Sequence, residues 1–543
     1  MNLKLNNETI TYQVLQAAVN AGVTEFIMCA GSRNVSFVEA LRLEDSLTTY
    51  YWPEERSAAF FALGRARRTN RAVAVITTSG TAVGELLPAT MEAYHLGVPL
   101  LLITADRPLK FRGSGAPQTC QQTHIFGNYV KLFQDISKPC NCDLKAWDLD
   151  GPAHLNVCLE EPQSQAQFVG QKLALPIPPP TTLRKVDPHQ NQLLDRFLNK
   201  IKYPLVIVSA LKVEAKEAVC AFLLKLNAPV MLEGISNLRE NTALNHLKVK
   251  ATEQILQMAH RFEYPIDGVL RIGGIPTHRI WRDLEYKGDS IDVLGISEIP
   301  FSGLSTSNDV IMGEIGRFFS HYALSKSYSS TPYTRWIQED AKCYSELTFL
   351  FRNFPRAESS ILHTLSNEIA TNSHVYLGNS LPIREWDTAA THEHKNFDMK
   401  ASRGLNGIDG QISTFLGFSS EHIDNWAILG DLTTLYDLVG LWIRPQLTKR
   451  SLNIAIINNG GAQLFAKLHP YQEMLNSHQL SFEPLAAMWN ASYHKIRDID
   501  AFNNLKLPHN GLNILEILPD KVESDRLNKE ISSIYNRTQT AYA

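Results

Sequence analysis

The chain has 543 residues, 44% of them hydrophobic and 20% charged, with a formal net charge of −3. That is ordinary globular composition, enough for about three domains at roughly 100–200 residues each, and the even spread of Lys and Arg argues against a general nucleic-acid partner. No apolar run reaches the roughly 18 residues of a membrane span, and the opening "MNLKLNNETITYQVLQAAV" lacks an apolar signal core. The seven cysteines are an odd number and do not read as a disulfide framework, and the pair in "KPCNCD" has no second pair at zinc-ligand spacing. A reducing, cytoplasmic setting is the expectation.

In chain order, "EFIMCAG" reads as a buried strand and "SRNVSFVEALRL" as a loop and helix. "YYWPEERSAAFFALGRARR" then opens an apolar helical pattern with Glu54, Glu55 and Arg56. Acids in a first turn favour the helix dipole; alternatively, one of them meets a ligand in a dry pocket. "AVAVITTSGTA", "GVPLLLITADRP" and "AHLNVCLEEP" supply further strands, and the Pro-rich "LALPIPPPTTLRKVDPHQ" reads as a semi-rigid linker. A second unit carries "PLVIVSA", "PVMLEG", "GVLRIGG" and "IDVLGIS", and fades into the polar "LSKSYSSTPY". The last unit carries "HVYLGNS", "WAILGD" and "LNIAIINN". Strand–helix alternation with continuous apolar strands predicts an α/β fold: doubly wound domains, each a parallel sheet flanked by helices. The expected boundaries are 1–172, 191–323 and 334–543. In such sheets ligands bind beyond the carboxyl ends of the strands.

"WAILGDLTTLYDLVGLW" is a strand, then Gly430 and Asp431, then a helix expected to start near Thr433. "LNIAIINNGGAQLF" is a strand ending in Asn458, Asn459, Gly460 and Gly461. An Asp, an Asn and a backbone carbonyl are oxygen ligands only, the set that Mg²⁺ completes with phosphates and water. A helix starting at the same place offers free N–H groups to a phosphate. Two ordinary strand-to-loop turns would carry the same residue types.

Taken together, these patterns resemble the thiamine diphosphate enzymes. "CAGSRN", "EERSAAFFALG", "AVAVITTSGTAVGELLPATMEAYHLGVPLLLITADRP", "RGSGAPQT", "GNSLPIREWD", "SRGLNGIDGQIST" and "GDLTTLYDL" narrow the resemblance. They lie in the order and spacing of the 2-succinyl-5-enolpyruvyl-6-hydroxy-3-cyclohexene-1-carboxylate synthases of menaquinone biosynthesis. The resemblance implies a carboligase that joins 2-oxoglutarate, with loss of CO₂, to isochorismate. It implies thiamine diphosphate as cofactor with Mg²⁺, or Mn²⁺ in its place. It also implies a homodimer or homotetramer with active sites at the dimer interface; the composition and the lack of a long apolar run lead us to expect no nucleic acid partner and no membrane span. Residues 1–172 would be the pyrimidine-binding domain, 191–323 a central domain and 334–543 the diphosphate-binding domain.

By the same resemblance Glu55 is the catalytic, cofactor-activating carboxylate, which shares a proton with the pyrimidine ring; an apolar setting raises its proton affinity. Glu54 then reads as a solvated first-turn acid. Gly430, Asp431, Leu432 and Thr433 would hold the diphosphate, and Asp431, Asn459 and the Gly461 carbonyl the metal. Ile408 would prop the cofactor in its bent shape, unless it is plain core. Both substrates are dianions, and guanidinium forks suit carboxylates best. Ser32, Arg33, Arg107, Gln118, Arg279, Ser380, Arg384 and Arg403 would bind them. Leu464, Phe465 and Leu468 would form an apolar wall, or simply a helix packing face. The chain departs from the family at Ala30, where Pro is usual, and at Arg279, where Lys is usual. It departs again at Gly460 and Ala462, and by one residue inserted between Asp431 and Asn459. Two other readings stay open: a different 2-oxo acid carboligase of the acetolactate synthase type, and a catalytically dead paralogue kept for binding. His392 and His394 of "THEHKN" have no third ligand nearby and read as a solvated loop.

Overall fold

The computed structural model describes residues 3–140, 142–161, 172–174, 188–250, 255–286, 290–305, 309–466, 469 and 471–537. Three six-stranded sheets, parallel throughout, carry the fold. The first holds β1 (Glu25–Cys29), β2 (Thr48–Trp52), β3 (Val73–Thr77), β4 (Leu100–Asp106), β5 (Leu132–Ile136) and β6 (Ala153–Cys158), in the order β2-β1-β3-β4-β6-β5. The second holds β7 (Pro204–Val208), β8 (Val230–Leu232), β9 (Lys248–Val249), β10 (Gly268–Ile272), β11 (Asp292–Ser297) and β12 (Asp309–Met312), ordered β12-β11-β10-β7-β8-β9. The third holds β13 (His374–Leu377), β14 (Asp398–Lys400), β15 (Asp424–Gly430), β16 (Ser451–Ile457), β17 (Ser492–Ile496) and β18 (Leu512–Ile517), ordered β14-β13-β15-β16-β18-β17.

Counted within each sheet, the first and third share one strand order, and the second has the doubly wound dinucleotide-fold order. Central strands are buried along their whole length, as in β3, β4, β6 and β16. Helices on both faces leave such strands no solvated side, which is why they read as unbroken apolar runs. The order reverses between β1 and β3, between β7 and β10, and between β13 and β15. Those reversals open the crevices in which ligands sit in open α/β sheets.

The chain forms two compact units. One comprises Met1–Thr182, Gly404–Ser419 and Thr433–Thr448; the other comprises Leu183–Arg403, Ser420–Leu432 and Lys449–Ala543. In the first, the helix Glu55–Thr69 lies against the helix Gln411–Phe418 at two glycines. A Cβ on Gly64 would stand 2.2 Å from the Thr414 carbonyl oxygen, and one on Gly417 would stand 2.2 Å from that of Phe61. Asp437 fastens the same pair: its carboxylate accepts from Ser57 Oγ (3.1 Å), Ser413 N (2.7 Å) and Ser413 Oγ (3.0 Å). Of the Pro-rich linker, 175–187 lie outside the described residues. Among the described residues no helix is long and apolar enough to cross a membrane.

Candidate active site

Glu54 and Glu55 part company at the helix start. Glu54 is the N-cap, accepting from Arg56 N (3.0 Å) and Ser57 N (2.9 Å). It is therefore a structural cap rather than a freely solvated acid. Glu55, the first helical residue, points its charge into a drier place. Burial raises its carboxyl pKa, and the neighbouring Glu54 and Glu85 add to that, against a hydrogen bond from its own backbone N–H. Cys29, at the end of β1, has its thiol pushed well up by burial and by Glu55 and Glu54. Glu55 thus stands at the carboxyl end of the first sheet with a proton affinity above that of a solvated carboxylate.

Arg33 and Arg107 follow β1 and β4. Arg33 is buried; it donates to the Leu159 carbonyl (3.1 Å) and to Glu161 Oε2 (2.6 Å). Arg107 Nη1 lies 3.8 Å from the same Glu161 oxygen, and its Nε donates to the Pro117 carbonyl (3.0 Å). The two guanidinium groups therefore converge on one carboxylate. Ser32 is exposed in the turn between β1 and Arg33. Gln118 has φ 55° and lies over Gly80, where an added Cβ would approach its Cα to 3.2 Å. Gly80 follows β3, so Gln118 too is held at a strand end. Arg112 anchors this loop with a two-pronged grip on Asp135 (2.7 and 2.8 Å) and a bond to Asp106 (3.1 Å).

In the other unit, Asp431 directly follows β15 and begins the helix Asp431–Tyr436, two residues earlier than the sequence suggested. Its Oδ2 accepts from Gly460 N (3.0 Å) and Gly461 N (2.9 Å), and Oδ1 accepts from Leu432 N (2.6 Å). Burial pushes its pKa up, against those three N–H groups and His478, whose Nε2 lies 3.3 Å away. Asn459 donates its amide nitrogen to Glu358 Oε2 (3.0 Å). Gly461 has φ 133°, and a Cβ there would meet the Leu475 carbonyl at 2.4 Å, so only glycine fits. The ligands the sequence led us to expect are the Asp431 carboxylate, the Asn459 amide oxygen and the Gly461 carbonyl, the last accepting from Gln463 N (2.8 Å). All are oxygens, a set that fits a hard divalent cation. Gly430 and Leu432 are half-buried; in the first unit, Thr433 is buried and Ile408 is half-buried in the loop before Gln411–Phe418, not in the core. Leu464 and Phe465 are half-buried on the short helix Gln463–Ala466. Leu468 lies outside the described residues.

Ser380, with φ 72°, caps the helix Leu381–Ala389, and Arg384 of that helix donates to the Ser380 carbonyl. Burial lowers the Arg384 pKa, and the positive charges of Arg403 and Arg282 lower it further, with Asp387 and Glu233 opposing. Arg403 is buried and donates to Asn379 Oδ1 (2.9 Å). Arg279 is largely exposed and pairs with Asp283 (3.2 Å). One group escaped the sequence reading. Glu233, His278 and Asp387 bring their side-chain ligand atoms within 4.8 Å of one another. Glu233 follows the apolar "PVML", His278 directly precedes Arg279, and Asp387 stands three residues after Arg384; those spacings were the available signal. His394 is exposed, but His392 packs edge-on against Tyr344 (4.8 Å), so only half of that expected loop is solvated.

Residues 9–125 match the family model described as thiamine pyrophosphate enzyme, N-terminal TPP binding domain. The structure of a benzoylformate decarboxylase from Polynucleobacter necessarius superposes with a TM-score of 0.72 at 13% identity, over 94% of this chain and 98% of that one. The fold is therefore that of the thiamine diphosphate-dependent enzymes, and residues 9–125 match their N-terminal cofactor domain. A 2-succinyl-5-enolpyruvyl-6-hydroxy-3-cyclohexene-1-carboxylate synthase from Bdellovibrio bacteriovorus is 40% identical over 98% of this chain and all of its own length. One from Akkermansia muciniphila is 34% identical over 94% of this chain and 96% of its own. The chain belongs to the 2-succinyl-5-enolpyruvyl-6-hydroxy-3-cyclohexene-1-carboxylate synthase family.

Proposed function

We propose that this enzyme adds 2-oxoglutarate, with loss of CO₂, to isochorismate, giving 2-succinyl-5-enolpyruvyl-6-hydroxy-3-cyclohexene-1-carboxylate for menaquinone biosynthesis in the cytoplasm. The observation that carries the reading is the setting of Arg384, whose proton affinity is depressed first by burial and then by the charges of Arg403 and Arg282, with Asp387 and Glu233 opposing. Like charges held together await anions, and both substrates bring two carboxylates each. The fork of Arg33 and Arg107 around a single carboxylate supports the same reading.

Asp431, Asn459 and the Gly461 carbonyl would hold Mg²⁺, and Gly430, Leu432 and Thr433 would line the diphosphate. Thiamine diphosphate, when bound, supplies the electron sink that decarboxylation of a 2-oxo acid requires. Glu55 would hold a proton against the cofactor's pyrimidine ring, helped by the burial that raises its pKa. Ile408 would support the cofactor's bent shape. Ser32, Arg33, Arg107, Gln118, Arg279, Ser380, Arg384 and Arg403 would orient the carboxylates, and Leu464, Phe465 and Leu468 would exclude water. The domains would be 1–172 for the pyrimidine, 191–323 centrally and 334–543 for the diphosphate. A homodimer, or a tetramer built from it, would complete each site. In support, Tyr436, Leu438, Val439 and Trp442 present an exposed apolar ridge, with Trp442 47% and Tyr436 50% accessible. Light scattering that finds an active monomer would remove the assembly.

The test is consumption of isochorismate, followed by absorbance, with thiamine diphosphate, Mg²⁺ and 2-oxoglutarate omitted in turn. Loss that needs all three establishes the reading. CO₂ release with isochorismate untouched would point to another acceptor, and no cofactor binding at all to a dead paralogue.

A further inference from the structure

Glu233, His278 and Asp387 form a buried acid–imidazole–acid row inside one compact unit. Glu233 stands at the end of β8. One of its oxygens accepts from Ser209 Oγ, beyond β7, and the other accepts from Thr277 N and His278 N, in the loop after β10. One carboxylate thus ties together the ends of three neighbouring strands of the second sheet. His278 passes the connection on, its Nε2 3.1 Å from Asp387 Oδ2. Asp387 lies on the helix Leu381–Ala389, and its other oxygen accepts from Gly234 N. Arg239 closes the assembly by donating to the carbonyls of Asp387 and Ala390 (2.9 Å each), which the end of that helix leaves without partners.

The row faces the expected substrate end of the same helix. Arg384 is one turn before Asp387, and the charges of both Asp387 and Glu233 reach it. His278 is chain neighbour to Arg279. Burial works against a charge on His278, but Asp387 and Glu233 outweigh it and hold its pKa above the ordinary value. A divalent metal in the row is disfavoured by the same inventory. The carboxylate oxygens other than Asp387 Oδ2 are already engaged by N–H and O–H donors, and Arg239 and Arg384 supply the cations close by.

We propose that His278, clamped between Glu233 and Asp387, is a positioning residue that sets Arg384 and the Thr277–Arg279 loop for a dicarboxylate donor. This rests on the reading of Arg384 as a substrate contact. The clamp touches no substrate itself; it fixes the helix that carries the arginine and balances the charge gathered there.

The test is a double-mutant cycle on the holoenzyme with H278Q, D387N and the pair. KM for 2-oxoglutarate should rise about tenfold in each single variant, and the double should be no worse than the weaker single, as for two halves of one contact. The kcat and the affinity for thiamine diphosphate with Mg²⁺ should stay near wild type. S209A, which removes only a hydroxyl bond to Glu233, gives a milder rise should the other variants fold poorly. Lowered melting temperatures with unchanged KM would overturn the clamp, as would effects that multiply in the double variant. Calorimetry with glutarate, a dicarboxylate that cannot lose CO₂, separates the two proposals. Weaker glutarate binding in the variants of a chain that never consumes isochorismate would sustain the clamp while the proposed reaction fell.

Discussion

Gly64→Ala is the sharpest test of how the first unit is built. The added methyl would stand 2.2 Å from the Thr414 carbonyl oxygen and 2.9 Å from Gly417 Cα and Phe418 N. All three are backbone atoms, so no side chain can swing aside, and the two helices must part by about 1 Å in a close-packed interior. Overpacking of this kind costs about 1–3 kcal/mol. The substitution also gains about 1 kcal/mol of helix propensity, so a net loss of about 2 kcal/mol remains for the larger clashes. For a unit of this size that is a fall of roughly 5 °C in melting temperature. Because Glu55 begins the same helix, turnover well below the melting point should fall as well. Gly84→Ala is the control: nothing lies within 4 Å of its Cβ. Scanning calorimetry on both variants decides the matter. A Gly64→Ala protein as stable as wild type would show that the helices do not meet as closely as described.

Glu55→Gln should melt with the wild type and lose about 10²–10⁴-fold in kcat; steady-state kinetics near wild type would end its assignment. Asp431→Ala and Asn459→Ala should abolish the thermal shift that thiamine diphosphate with Mg²⁺ gives the wild type, about 2.7 kcal/mol at a hundredfold excess over Kd, and EDTA should do the same to the wild type. Burial pushes Asp437 up to about 6, so between about pH 4 and 6 the folded chain holds a proton that the unfolded chain has released. That contribution is present below pH 4 and is lost as pH rises through 6. Relative to wild type, Asp437→Asn should therefore gain about 3 kcal/mol over that window, whatever constant offset its altered hydrogen bonds add. A stability difference flat across pH 4–7 would refute the assignment.

What the sequence made legible in the fold follows burial. The interior strands of the first two sheets were readable as apolar runs, because helices cover both faces. All six edge strands were missed. β2 is "TTYYW", β5 "LFQDI" and β17 "SYHKI", each half-exposed and half-polar, and β9 is two residues long. An edge strand keeps one side in solvent and is short or charged by design against further pairing, so its pattern merges with that of loops. β18, "LNILEI", is fully buried and carried the same apolar signal as its neighbours; it was readable and overlooked. The discontinuous unit that draws Gly404–Ser419 and Thr433–Thr448 to the N-terminal sheet left no mark of its own, since small residues at a helix crossing look like any Gly in a helix.

The candidate site divides in a related way. Cations at strand ends can be read from type and position, since an arginine just after a buried strand has few reasons to be there. The carboxylates that brace them are silent. Glu161, which meets Arg33 and Arg107, and Glu233, whose charge reaches Arg384, come from distant stretches of chain, and Asp387, three residues from Arg384, reads as an ordinary helix acid. An acid in a helix or turn has many ordinary explanations, as Glu54 shows by being a cap. Yet the bracing is physically required. Several guanidinium groups held together in a partly dry crevice repel one another, and each pair loses solvation it must recover from fixed dipoles or counter-charges. A chain that assembles an anion site from arginines must therefore also place acids behind them, close enough to balance the field and constrained enough not to fill the site. Glu233 and Asp387 meet that condition because N–H and O–H donors and His278 hold their oxygens. Glu161 does not: its side chain is 71% exposed, so in the proposed site an incoming carboxylate would displace it.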